Sequence, residues 1–287
     1  MLDSMLEAKD IALNTHKQKS SRVKMLSERL GDIRIKKVTV KEIALILQES
    51  IDQGKISQAV SLRTEWSQVF DWAQHHGEVE PGFNPASATK TPRLKQKRSR
   101  LSLENAERLL EYVESNSKPH VRNAIHLALA TAQRVGDISM MEFGHIKDGH
   151  LFIEQQKSQG KTKIAIPLTL KNPLLNKNLG EIIQSCRDNV VSKYIIHYSK
   201  RTPRARVGGQ VSARIISQEF TQVIKDMAIE YSNENPPTFH ELCSVAERSY
   251  REAGIDTQAL LGHKSAKMTD KYHDNRGEEF IYIGQGK

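Results

Sequence analysis

Cysteine is almost absent from this chain: 287 residues contain two, Cys186 and Cys243, far apart in sequence. Such usage argues against a disulfide framework and fits a reducing compartment. Long apolar runs are missing too, since no stretch approaches the roughly 20 residues that a helical membrane span requires. The opening Met1-Leu2-Asp3-Ser4-Met5-Leu6-Glu7 lacks the basic and apolar regions of a secretory signal. These absences predict a cytoplasmic protein with no membrane partner. No internal repeat is visible.

What is present describes a soluble globular protein, 38% hydrophobic and 27% charged. The length exceeds what one hydrophobic core usually spans, so two domains are expected. The formal charge of +9 favours a polyanionic partner, because each neutralised phosphate releases counterions condensed on a nucleic acid. Charge alone does not separate nucleic acid from a membrane surface or from mere solubility.

Residues 1–88 read as a helical domain. Thr39-x-x-Glu42 is a capping box with Val38 and Ile43 placed as a hydrophobic staple, and the helix it opens repeats Ile43, Leu47 and Ile51 before Gly54. A second helix over 58–76 puts Ala59, Leu62, Trp66, Val69, Phe70 and Ala73 on one face and stops at Gly77. A stripe of this kind is core, and Trp66 and Phe70 are assigned to it. Residues 89–100 have almost nothing apolar to bury and carry Lys90, Arg93, Lys95, Lys97, Arg98 and Arg100, the pattern of an extended basic linker. It is either a solvated tether or one lying along phosphates.

Residues 101–287 form the second predicted domain. Ser102 is a candidate N-cap for a helix carrying Ala106, Leu109, Leu110 and Val113, and an apolar helix over 125–132 leads to Arg134. The β-rich runs 150–154 and 162–166 flank a polar turn and read as a hairpin. Residues 201–209 read as a surface loop, and helical patterns return over 212–231, 241–253 and 256–262.

The chemistry-bearing residues sit in short motifs. They are Ala132-Gln133-Arg134-Val135-Gly136-Asp137, then Glu154-Gln155-Gln156-Lys157 before Lys163-Ile164-Ala165-Ile166-Pro167. Thr238-Phe239-His240-Glu241-Leu242-Cys243-Ser244 follows, then Leu260-Leu261-Gly262-His263-Lys264-Ser265 and Asp270-Lys271-Tyr272-His273-Asp274. Each alone would be weak, but motifs in this order over roughly 140 residues are a specific signal. The set resembles the tyrosine site-specific recombinases of the phage integrase family, most closely the lambda group, from about residue 35 to the end of the chain. One position departs from that family. Where its members place a second catalytic arginine, three residues after the first histidine, this chain has Cys243.

The resemblance implies a mainly α fold with a small β-sheet: a helical core-site-binding domain and a catalytic domain of the DNA breaking-rejoining type, closing as a C-shaped clamp on duplex DNA. It implies strand exchange through a 3′-phosphotyrosine intermediate without metal or cofactor, by a homo-tetramer on two attachment sites. A host DNA-bending protein and an excision factor would assist, at the nucleoid of a bacterial host. Lambda-type members also carry an amino-terminal arm-site domain; no counterpart is recognised here, which suggests a truncated chain or a gene remnant. The run Phe280-Ile281-Tyr282-Ile283 is expected to pack on a neighbouring protomer, the alternative being its own domain.

Metal-free phosphodiester cleavage needs a nucleophile, a proton donor for the departing 5′ oxygen, and donors for charge on the phosphoryl oxygens. Tyr272 is the candidate nucleophile. Arg134 offers a permanently charged fork to two nonbridging oxygens, with Asp137 orienting it, although a helix-end arginine can also serve as a cap. Lys157 on the hairpin turn is the candidate general acid, and Lys161 and Lys163 stay open. His240 and His263 would bind the phosphate, His240 also taking the tyrosine proton.

Cys243 cannot present a guanidinium fork. Its presence should cost roughly 3 to 4 kcal/mol of transition-state stabilisation, a rate factor on the order of 10² to 10³, or 10³ to 10⁵ if the arginine acts like an arginine finger. Arg248, five residues on, faces another side of the helix. A rival reading groups His240, Cys243, His263 and His273 as a zinc site, but only the first two have a standard ligand spacing. Three functions follow: an impaired recombinase, a catalytically silent DNA-binding remnant or regulator, and type IB topoisomerase-like relaxation.

Overall fold

A computed structural model describes residues 2–7, 11–93, 99–158, 161–203, 205–229 and 235–273. It divides into two compact units, Met1–Gln96 and Lys97–Lys287. Among the described residues no helix is long and apolar enough to cross a membrane.

The first unit is built from α1 (Leu2–Glu7), α2 (Leu13–Leu30), α3 (Val40–Asp52) and α4 (Ile56–His75). The capping box forms as its sequence predicts: the Glu42 amide donates to Thr39 Oγ1 at 3.3 Å and the Thr39 amide to the Glu42 carboxylate at 2.7 Å. Ile43, Leu47, Leu62, Trp66 and Phe70 are buried together. The Trp66 indole donates to the Arg22 carbonyl at 2.9 Å, which ties α2 to α4. Burying that N–H costs nothing because it keeps a partner.

The second unit contains α5 (Leu103–Asn116), α6 (Pro119–Thr131), α7 (Val135–Met140), α8 (Leu179–Ser185), α9 (Ala213–Asp226), α10 (Glu241–Glu252), α11 (Thr257–Leu261) and α12 (Ala266–His273). Its sheet has the order β1 (Ile146–Lys147), β2 (His150–Glu154) and β3 (Lys163–Pro167), all antiparallel, and β4 (Lys171–Asn172) pairs with β5 (Lys177–Asn178). Helix α6 is buried on nearly every side, the mark of a central core helix. Helix α10 packs against it, and the Tyr250 hydroxyl donates to the Ala130 carbonyl at 2.7 Å.

Leu151 and Ile153 face the core from β2 while Phe152 is exposed, so strand alternation fixes which face the hairpin turns inward. The expected helix over 212–231 ends earlier, at Asp226. Ala228 takes a positive φ of 47°, which a right-handed helix cannot accommodate.

Gly262 ends α11 in the left-handed region, at φ 66°. A Cβ at that position would lie 2.8 Å from both Ile164 Cδ1 and Thr162 Cγ2 of the hairpin. The Leu-Gly-His turn therefore rests directly on β3. Gly262→Ala combines an unfavourable φ with overpacking, and should destabilise the chain by on the order of 2 kcal/mol or more. Urea denaturation checks this as a lower midpoint at unchanged slope.

Candidate active site

Arg134 sits where α6 hands over to α7. Ala132 closes α6 in a left-handed conformation at φ 54°, and Arg134 is extended at the N-cap of α7. Between them Gln133, 1% exposed, donates to the Thr131 carbonyl at 3.0 Å and the Leu260 carbonyl at 2.8 Å. Its Oε1 accepts from Gln155 Nε2 at 2.8 Å, and that same amide reaches the Leu261 carbonyl at 2.9 Å. Gln155 Oε1 accepts from Arg134 Nη1 at 3.4 Å. One buried amide pair thus binds together the arginine motif, the hairpin and the Leu-Gly-His turn. Sequence reasoning passed over both glutamines. Gln155 carried a signal, because it follows Leu151 and Ile153 in the inward parity of β2 and is polar.

Asp137 meets the hairpin and also lies close enough to Arg134 to feel its charge. Its Oδ1 accepts the Gln156 amide at 2.8 Å. Burial holds its carboxyl above the usual range, against the opposing pull of the Gln156 amide and Arg134. The adjoining residue, Lys157, lies exposed on a 3₁₀ turn, Gln156–Ser158. Lys163 pairs instead with Glu154 at 2.7 Å across the ladder and is 71% exposed, and Lys161 is exposed beyond the turn. Lys157 is the hairpin lysine whose charge both imidazoles of the site feel.

His240 leads into α10, and its Nε2 lies 3.1 Å from the Tyr272 hydroxyl, with the two rings edge to face. His263 is buried, hydrogen-bonded through Nδ1 to Thr269 Oγ1 at 3.0 Å, and its ring centroid is 5.1 Å from that of Tyr272. Burial, then the Arg134 charge, then that of Lys157, hold both imidazoles below their ordinary range, although Glu241 pulls His240 the other way. Both are therefore neutral at pH 7. Burial pushes the Tyr272 hydroxyl up, with Arg134 opposing through charge and hydrogen bond. At rest the tyrosine keeps its proton beside a neutral acceptor.

Cys243, one turn after His240, is 1% exposed, and its thiol donates to the Gln133 carbonyl at 3.4 Å. Burial pushes it up to about 12, so it carries no charge. Arg248 is committed elsewhere, to the Leu101 carbonyl and, at 3.4 Å, the Ser244 carbonyl. Arg100 departs from its expected place on the tether. Its side chain is 6% exposed and reaches Glu241 Oε2 at 3.1 Å, Ser244 Oγ at 2.7 Å and the Lys271 carbonyl. Lys90 and Arg93 are exposed. Lys95, Lys97, Arg98 and the tail over 280–287 lie outside the described residues, as does the His273 side chain. Among the described residues no group of three His, Cys, Asp or Glu side chains is arranged to hold a metal ion.

Two family models match the sequence that folds this way. The model described as "Phage integrase family" matches residues 99–279, and "Phage integrase central domain" matches 4–91. The prophage integrase IntE of Escherichia coli K12 is 44% identical over 277 residues, 96% of this chain and 73% of that protein. A lambda integrase dimer bound to a COC′ core site superposes with a TM-score of 0.86 at 33% identity, covering 99% of this chain and 79% of that one. A lambda integrase tetramer bound to a Holliday junction superposes at 0.87 and 32% identity, covering 99% and 78%.

Nuclear magnetic resonance titration should find His240 and His263 both deprotonating below their ordinary value of 6.5. Arg134→Gln should raise both, because it removes a cation that disfavours each imidazolium. A variant that left both values unmoved would remove the Arg134 charge as a cause and leave burial and Lys157.

Proposed function

From the premise that this chain belongs to the phage integrase family, we propose that it cuts and rejoins duplex DNA at specific sites through Tyr272, with a chemical step slowed by Cys243. The observation that carries this reading is the Tyr272 hydroxyl, 3.1 Å from His240 Nε2 and close to Arg134.

Tyr272 attacks the scissile phosphorus and its proton passes to His240 Nε2, whose neutral state leaves a lone pair for it. The bond from phosphorus to the 5′ oxygen breaks, and the Lys157 ammonium supplies the proton that oxygen needs. A 3′-phosphotyrosyl link stores the bond until a 5′ hydroxyl attacks it and reverses the step. Arg134 and His263 hold the nonbridging oxygens. A neutral thiol at 243 adds no charge-assisted donor to them. That last feature also favours a second reading, a DNA-binding regulator that does not cleave.

The relatives solved as a dimer on a core site and as a tetramer on a Holliday junction support a multimer of this chain on paired duplexes. Host bending and excision factors belong to the same proposal. The exposed Lys90 and Arg93, together with Lys95, Lys97 and Arg98, are proposed to contact phosphates.

On a nicked suicide duplex carrying the core site, Cys243→Arg should raise the rate of covalent complex formation by on the order of 10² to 10³. Affinity in a gel shift should change little, since many phosphate contacts share it. Equal covalent yields would remove Cys243 as the cause of impairment. No adduct from either protein would favour the silent regulator, and relaxation of a plasmid lacking the site would favour the topoisomerase reading.

Neutralising Lys95, Lys97 and Arg98 together should weaken binding and flatten its salt dependence by up to about three units, one per lost contact. An unchanged slope would mean a solvated tether.

A further inference from the structure

We propose that Arg100 is a positioning residue for Tyr272, clamping the carboxy-terminal turn of α12 onto α10. The proposal rests on Tyr272 being the nucleophile, and it assigns to Arg100 a task other than binding phosphate.

The last carbonyls of any α-helix have no partner within the helix, and cations near that end are favoured by the helix dipole. In α12 the turn over 270–273 carries the tyrosine and offers carbonyls to partners outside the helix. Arg100 donates directly to the Lys271 carbonyl. It also donates to Ser244 Oγ at 2.7 Å, and the Ser244 hydroxyl in turn donates to the Tyr272 carbonyl. Two successive carbonyls of the tyrosine turn therefore depend on one guanidinium. Glu241, at 3.1 Å, compensates its charge and fixes the direction of the fork.

The backbone around Arg100 is held as firmly. The Ser99 amide donates to the Asn235 carbonyl at 3.0 Å, and the Leu101 carbonyl accepts from Arg248. Ser99 and Leu101 are each 1% exposed. Three consecutive residues are thus pinned to the segment before His240, to α10 and to α12. A guanidinium suits the position because it sends several donors in fixed directions from one plane, whereas an ammonium presents a single point of attachment. Arg100 also lies close enough for its charge to reach His240 and Tyr272.

The test uses the full chain in two measurements. In hydrogen exchange without DNA, Arg100→Gln should speed exchange over α12 while leaving α6 protected, and Arg100→Lys should fall between. In the Cys243→Arg background at saturating nicked duplex, Arg100→Gln should slow covalent complex formation roughly 10- to 100-fold, the cost of misplacing a reacting group by about an ångström. Half-site affinity should stay within about two-fold, because no phosphate contact is lost. Ser244→Ala removes the relay to the Tyr272 carbonyl together with one acceptor of Arg100, and leaves the direct Arg100 bond to Lys271. It should reproduce both effects more weakly, which keeps the test decisive should Arg100→Gln fold poorly.

Unchanged α12 exchange with weaker DNA binding and a salt slope about one unit flatter would make Arg100 an ordinary phosphate contact and overturn the proposal. A Ser244→Ala variant identical to its parent in both measurements would overturn the relay. Should Cys243→Arg itself form no adduct, the recombinase reading fails, while the exchange comparison still decides whether Arg100 holds α12.

Discussion

Gln155 donates from one amide to both the Gln133 side chain and the Leu261 carbonyl, and its oxygen accepts from Arg134. The remaining geometry of the site depends on that small network. It lies where α6 ends, where β2 leads into the lysine turn and where α11 ends, and none of these three backbone breaks is held by regular secondary structure. Buried amides without partners would be costly there, and fully paired ones define a single arrangement. Once they are paired, Arg134, Lys157 and His263 are brought to one place from positions spread over much of the second unit.

Electrostatics then follows from burial. Arg134 and Lys157 bring positive charge toward two desolvated imidazoles, so both rings stay neutral, and neutral rings leave a nitrogen able to accept a proton. The Tyr272 hydroxyl, pushed up by the same desolvation, requires such an acceptor. The geometry and the direction of these shifts fit the division of labour proposed for the residues.

Cys243 is the exception in a site otherwise rich in cations. Its thiol is fully buried, neutral and turned to the Gln133 carbonyl, so it supports the fold of the arginine motif without adding charge. The neighbouring arginines are engaged with backbone and side-chain acceptors. Arg248 caps backbone near Leu101, and Arg100 is held by Glu241, Ser244 and α12, each in a position that its acceptors dictate.

Much of the fold was legible in the chain itself. The Thr39 capping box, the stripe of Trp66 and Phe70, the alternation of Leu151 and Ile153, and Gly262 at the end of α11 are local patterns whose physics acts within a few residues. The order of the motifs pointed to Arg134, His240 and His263, which lie close to Tyr272. Tertiary structure alone decided other matters: that Lys163 is taken up by Glu154, that Asp137 meets Gln156, that Gln133 and Gln155 pair, and that Arg100 turns inward to a carbonyl 171 residues further along the chain. A basic run reads as exposed because charge normally seeks water. Backbone and carboxylate acceptors on distant helices reverse that preference, and they come within reach only once the chain has folded.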